Sequence, residues 1–394
     1  MLPSLPPLRS PHRPALRWAT LLPVLLLSAC ATLRPPPDPT PLLRDALFEP
    51  SQDDTDPARV LAMSDAMRAY ADTELRARIG RRDARRVLIE ALHERGQLEI
   101  AYDATRTGNA AETFEARRGN CLALVLMTGA FSRHLGLEVT YRNVVMEPQY
   151  SRAAGLTLET GHVNLLMAQS GHRPLWGAND LIIDFLPTPE TRGRRVEALE
   201  EQAVLAMYMN NRAAERLAEG RVDDAYAWVR AALRQDPRHG AAANTLAVIY
   251  MRRGALKEAE DALRFVLARE PENTAALSNL VSMLRSQGRG AEAEHHATLL
   301  RRLQPVMPFE LFEKGRQALA AGDALGAREF FAKELRLQPF QHEVHFWAAQ
   351  AALQLGDRGQ ADEHLRMAAD YSPTLAGQKL YTAKLERLRA ARLQ

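Results

Sequence analysis

"GRVDDAYAWVRAALRQDP", residues 220–237, opens on a glycine and closes on a proline, and both recur downstream at one fixed distance. Gly220, Gly254, Gly288, Gly322 and Gly356 stand 34 residues apart, as do Ala225, Ala259, Ala293, Ala327 and Ala361, and Pro237, Pro271, Pro305, Pro339 and Pro373. Each residue has a physical task in a two-helix unit. Glycine enters a left-handed turn at low cost. Alanine lets the second helix approach the first closely. Proline closes the unit, because it cannot continue a helix interior.

A 34-residue period with Gly, Ala and Pro in this order resembles the tetratricopeptide repeat. The units fall at 206–239, 240–273, 274–307, 308–341 and 342–375, with 376–394 as a polar-faced capping helix. Leu246, Ala247 and Tyr250 supply the large, small and aromatic residues that the family expects. Arg212 and Arg216 replace two usually apolar residues, which predicts that the first helix packs against the preceding domain. The resemblance implies an all-α solenoid with a long groove for a protein partner.

Upstream, "EARRGNCLALVLM" (115–127) places Cys121 just after Arg-Gly-Asn, at the first turn of an apolar helix. A buried structural thiol needs no such setting, whereas a nucleophile does. Unpaired N–H groups and the helix dipole at that end stabilise an anion. The chain has only two cysteines, and Cys30 ends "LSAC" (27–30) after Arg9, Arg13, Arg17 and the apolar run 18–29. That segment resembles a bacterial lipoprotein signal, with 1–29 cleaved and lipid attached to Cys30; an ordinary signal with an incidental cysteine is the alternative. Ala31 after Cys30 points to the outer membrane, facing the periplasm. Residues 30–56 then read as a proline-rich tether. With Cys30 taken by lipid, Cys121 has no disulfide partner and no resolving thiol, so a redox role is not expected.

Formal charge is +3 over 394 residues, without a basic or acidic tail, which argues against a nucleic-acid binder. Arg81, Arg82, Arg85 and Arg86 read as a solvated helix face, with anionic lipid or glycan as the alternative. "HEVH" (342–345) lacks the spacing of a zinc-protease helix and is expected at the surface; no metal site and no cofactor is expected.

Between residues 57 and 200 a helix with Cys121 precedes strand-like runs "LEVTYRNVVM", "GHVNLLMAQ" and "DLIIDFLP". Cys first, His next and Asp last resembles the transglutaminase-like superfamily, an α+β papain-like fold. "RRGNCLA" matches its Gly-x-Cys helix start, "TGHVNLL" its Gly-His strand and "LIIDF" its terminal Asp strand. The resemblance implies a triad of Cys121, His162 and Asp184, with about 140 residues covered. His172 in "SGHRPLW" competes with His162, and Asp180 with Asp184; His134 is expected on the exposed side of the Cys121 helix. Val163-Asn164 replaces the family's common Ala-Trp, leaving one wall of the substrate cleft undefined.

Two functions follow. In the first, a cysteine hydrolase or acyltransferase attacks amide bonds of a peptide or protein through a thioester, and the repeats present a partner. In the alternative, the chain is a non-catalytic periplasmic lipoprotein scaffold whose repeats recruit partners.

Overall fold

The computed structural model describes residues 38–94, 97–153, 156–168, 180–185, 194–372 and 374–390. The expected signal peptide, Cys30, the tether as far as residue 37, His172 and Pro373 lie outside the described residues.

Helix α1 (Asp65–Tyr70) starts where Ser64 Oγ accepts the Met67 N–H at 3.2 Å. It runs through a π turn (Ala71–Leu75) into α2 (Arg76–Ile79), and α3 spans Ala84–His93. A two-residue parallel ladder pairs β1 (Ala101–Tyr102) with β2 (Arg118–Gly119). Between them lies α4 (Ala110–Ala116), fixed by a reciprocal cap in which Asn109 and Glu112 satisfy each other's backbone N–H.

Helix α5 (Cys121–His134) is buried at every residue from Cys121 to Ser132, the pattern of a helix covered all round. It packs on a four-stranded antiparallel sheet of order β5-β4-β3-β6, from β3 (Val139–Ala153), β4 (Leu156–Met167), β5 (Leu181–Ile183) and β6 (Arg195–Leu199). Strand β6 was not expected from the sequence. Its "RVEAL" carries little apolar alternation, and it is held by pairing with β3 from Tyr141↔Leu199 to Val145↔Arg195.

One residue after β6 the solenoid begins. Its helices are α6 (Glu201–Ala218), α7 (Val222–Gln235), α8 (Gly240–Arg253), α9 (Leu256–Leu267), α10 (Thr274–Ser286), α11 (Gly290–Leu303), α12 (Glu310–Ala320), α13 (Ala324–Leu337), α14 (His342–Gln354), α15 (Arg358–Asp370) and α16 (Leu375–Ala390). The five phased glycines all have φ between +74° and +85°, the conformation that glycine alone adopts cheaply. The five phased alanines are fully buried between paired helices. One apolar core runs without a break from Val60 to Ala293, so the sheet domain and the first repeats share it. A second core is built around Phe309, Phe312 and Phe331.

The stretch read as a proline-rich tether is docked on the repeats over its described part. The Phe48 ring stacks on Tyr226 with centroids 3.9 Å apart, and the Arg253 guanidinium sits 5.1 Å from its centre. Asp45 accepts from Tyr226 Oη at 2.7 Å and Arg230 Nη1 at 3.0 Å, while Tyr250 Oη donates to the Leu42 carbonyl at 2.7 Å. Asp53 accepts from Trp228 Nε1 and Arg221 Nη2, both at 2.7 Å, and from Arg216 Nε at 2.5 Å. Aromatic stacking and charge-assisted bonds turn residues 38–56 into a strap across the first helix pairs.

Arg212 also faces upstream, donating to the Thr107 carbonyl at 3.2 Å. Arg85, expected on a solvated face, is buried: Asp83 grips it and its Nη1 reaches the Met167 carbonyl at 3.4 Å. His345, expected at the surface, is 4% exposed, because Nε2 is bonded to the Pro339 carbonyl and Nδ1 to His364.

Candidate functional site

Asn120 sets the start of α5. Its backbone is extended, and its Oδ1 accepts the Ala123 N–H at 2.9 Å while its Nδ2 donates to Thr107 Oγ1 at 2.7 Å. The first-turn N–H groups of a helix lack intrahelical acceptors, so Cys121 sits at the positive end of α5. The left-handed conformation ahead of the helix falls to Arg117, at φ 51°. Gly119 is needed for space, since a Cβ there would lie 2.9 Å from Ala123 Cβ and 3.3 Å from Thr113 Cγ2.

Strand β4 brings His162 to the cysteine end of α5. His162 Nε2 bonds Asp184 Oδ1 at 2.7 Å. Nδ1 is buried and meets no hydrogen-bonding group at ordinary distance and angle, which leaves it as the ring nitrogen for the Cys121 sulfur. Burial pulls the imidazole pKa down, but the Asp184 bond and the Cys121 thiol outweigh it and push the ring up to about 9. His162 is 2% exposed and Cys121 8%, so the pair is nearly closed to solvent.

Of the three residues expected together, all three are therefore neighbours. Asp180 instead acts on Arg85, whose charged form Asp83 favours first and Asp180 less. His134 is at the far end of α5, where Nε2 bonds Asp72 Oδ1 at 2.8 Å. Among the described residues no three or more His, Cys, Asp or Glu side chains gather closely enough to hold a metal ion.

Sequence reasoning missed two members. Asn164 Nδ2 donates to Asp184 Oδ2 at 3.0 Å, and its Oδ1 accepts from Arg142 Nε at 2.9 Å. Alternation along β4 was the available signal, because residues 162 and 164 share a face. Arg142 lay beyond reach, since only the register opposes it to Asn164.

A family model, tetratricopeptide repeat, matches residues 216–264. No curated protein matches the chain. Among solved structures, pilF of Pseudomonas aeruginosa is similar at 23% identity over 49% of this chain and 88% of that one, TM-score 0.28. YrrB, described as a TPR protein with an unusual peptide-binding site, is similar at 21% identity over 45% and 92%, TM-score 0.25. The yeast Tom70 structure is similar at 17% identity over 48% and 40%, TM-score 0.33. Residues 216–264 thus carry the tetratricopeptide repeat, and the helix pairs that follow keep the same 34-residue spacing of glycine and alanine.

Proposed function

We propose that the chain is a protein-interaction scaffold, in which the repeat stack holds a protein or peptide partner and carries the sheet domain at its first helices. The repeats support this reading, because stacked helix pairs offer an extended surface for a chain to lie on. The catalytic reading, placed first on sequence grounds, takes second place: the family match falls in the repeats, and Cys121 is buried. A photo-crosslinking residue at exposed Ser282 or Gln317 tests the scaffold. Capture of a defined polypeptide by one or both is expected; failure of every exposed repeat position to capture any would overturn it.

One observation favours the second reading, the seat of His162 between Asp184 and Cys121. In this reading the sheet domain is transglutaminase-like. The Cys121 thiolate attacks an amide carbonyl carbon, His162 protonates the departing amine as the C–N bond breaks, and a thioester remains on sulfur. Water then releases an acid, or a second amine takes the acyl group. Alkylation of Cys121 by iodoacetamide tests it. Rapid reaction well below about pH 8, lost in His162→Ala, supports the pair; a thiol inert until unfolding leaves the scaffold alone. Lipid on Cys30, holding the chain to the outer membrane on its periplasmic side, belongs to both readings and rests on the motif at Leu27–Cys30.

A further inference from the structure

Arg142 is 5% exposed and Asn164 3%. A buried guanidinium costs several kcal/mol unless it is paired and hydrogen-bonded, so its retention calls for a partner that gains from it. The sheet register identifies that partner. Arg142 on β3 is the direct cross-strand neighbour of Asn164 on β4. Strand β5 pairs with β4 through Ile183↔Leu165, and Asp184 is the next residue, continuing the row to the position beside Asn164. Three strands thus set Arg142, Asn164 and Asp184 in one line, and His162 follows two residues along β4 on the same face.

The hydrogen bonds run along that line with one direction. Arg142 Nε donates to Asn164 Oδ1, which fixes the amide so that Nδ2 must point onward. Asn164 Nδ2 donates to Asp184 Oδ2, and the other carboxylate oxygen, Oδ1, is left for His162 Nε2. The carboxylate of Asp184 in turn favours the charged Arg142, against the burial that disfavours it.

We propose that Arg142 and Asn164 are positioning residues: a relay that clamps the Asp184 carboxylate so that it holds the His162 ring against Cys121. The proposal rests on the catalytic reading for its purpose, though not for its geometry. Arg142 also balances charge. With Cys121 as thiolate and His162 as imidazolium, the buried group holds two positive and two negative charges; without Arg142 it carries one uncompensated negative charge in a site that water barely reaches. An ordinary core pair would place no such demand on which atom of Asn164 faces Asp184.

The test uses the full-length chain and replaces both relay residues by apolar ones, Arg142→Met with Asn164→Leu. Removing both leaves neither the guanidinium nor the amide without its partner and takes one donor from Asp184 Oδ2, whereas Asn164→Ala alone also strands the guanidinium. The first readout is the NMR titration of the His162 ring. It is expected to move by about a pH unit or more, because the double variant removes both the donor that fixes the Asp184 carboxylate and the Arg142 charge, and Arg142→Lys, which keeps a charged donor, is expected to move it less. An unchanged titration in the folded double variant overturns the relay. The second readout is alkylation of the Cys121 peptide, followed by mass spectrometry. A relay that serves the thiolate predicts at least a tenfold slower reaction near neutral pH in the double variant, about one pKa unit in equivalent terms. If the His162 titration moves but wild-type alkylation does not depend on His162, the relay stands and the catalytic reading fails.

Discussion

Tyr150 Oη accepts a hydrogen bond from Gln304 Nε2 at 3.1 Å, joining the far half of the β3–β4 hairpin to the turn between α11 and α12. The same residue meets the next turn of the solenoid as well. Its N–H donates to Gln338 Oε1 at 3.4 Å and its carbonyl accepts from Gln341 Nε2 at 2.5 Å. Gln304 and Gln338 are one repeat apart, so the hairpin reads the period of the stack. Tyr150→Phe is expected to cost about 1 kcal/mol, one buried hydrogen bond. Combined with Gln304→Ala it should show a coupling of about 0.5–1 kcal/mol in urea denaturation. Additive effects would mean that the bond contributes nothing.

The strap gives a second prediction. Asp53 is held down to about 2: burial pushes its carboxyl up, and Trp228, Arg216 and Arg221 more than reverse that. A carboxyl with a depressed folded-state pKa stabilises above its unfolded value and loses that contribution as pH falls through the folded one. The window here runs from about 3.8 down to about 2. Asp53→Ala removes this stabilisation at neutral pH and takes from Arg216 its carboxylate partner on the strap, leaving it Glu219, which is expected to cost about 2–3 kcal/mol. A variant with wild-type stability at neutral pH would show that the strap is not held there.

What the sequence disclosed divides along the same lines as the contacts. The helix pairs were legible because their rule is local: a glycine at a left-handed turn, a small residue at a helix crossing and a proline at a unit's end each recur at a countable interval. Cys121, His162 and Asp184 were legible as residue types on a helix and two strands. The strap was not, because Phe48 among prolines and aspartates has no periodicity to betray that Tyr226 awaits it. Arg142 was hidden by register, which depends on a long hairpin with an irregularity between Val144 and Gln149. His345 was misjudged because its burial is set by the Pro339 carbonyl and His364, both supplied by neighbouring elements.

His162 carries the opposite pH signature to Asp53. Its folded-state pKa is raised to about 9, so its contribution is complete below about 6.5 and is lost as pH rises towards 9. Protection factors for hydrogen exchange in β4 and at the start of α5, with the intrinsic base-catalysed rate divided out, should therefore fall across that interval, and His162→Ala should abolish the fall. An equal slope in both proteins would assign it to another group.

Gly315 in α12 tests the packing of the second core. A Cβ at this position would lie 2.5 Å from Phe331 Cε1 and 2.7 Å from Cδ1, both on a fully buried ring. Gly315→Ala would raise helix propensity in an exposed helix; here the ring has to move, and overpacking costs about 1–3 kcal/mol. Thermal denaturation should show a lower midpoint, and Phe331→Leu should rescue part of it by opening space. A stabilised Gly315→Ala would mean that the ring moves freely.

The last pair of repeat helices is expected to be acid-sensitive, and His345 is the reason. Its Nε2–H donates to the Pro339 carbonyl at 3.0 Å, which leaves Nδ1 as an acceptor 3.0 Å from His364 Nδ1. That bond holds one proton between two rings; a second would set two N–H groups face to face. Burial first, then the His364 charge, drives His345 down to about 4, with the Pro339 carbonyl opposing, and His364 and His342 are also lowered by burial while Glu363 opposes. A histidine with a depressed folded-state pKa is buried neutral, so the unfolded chain binds the extra proton. Stability falls as pH drops from about 6.5 towards 4. Protection factors for hydrogen exchange in α14, α15 and α16, with the intrinsic rate divided out, should fall over that range before the earlier repeats respond. Replacing the pair by His345→Phe with His364→Leu should flatten the response, and an acid transition unchanged in that variant would place its origin elsewhere.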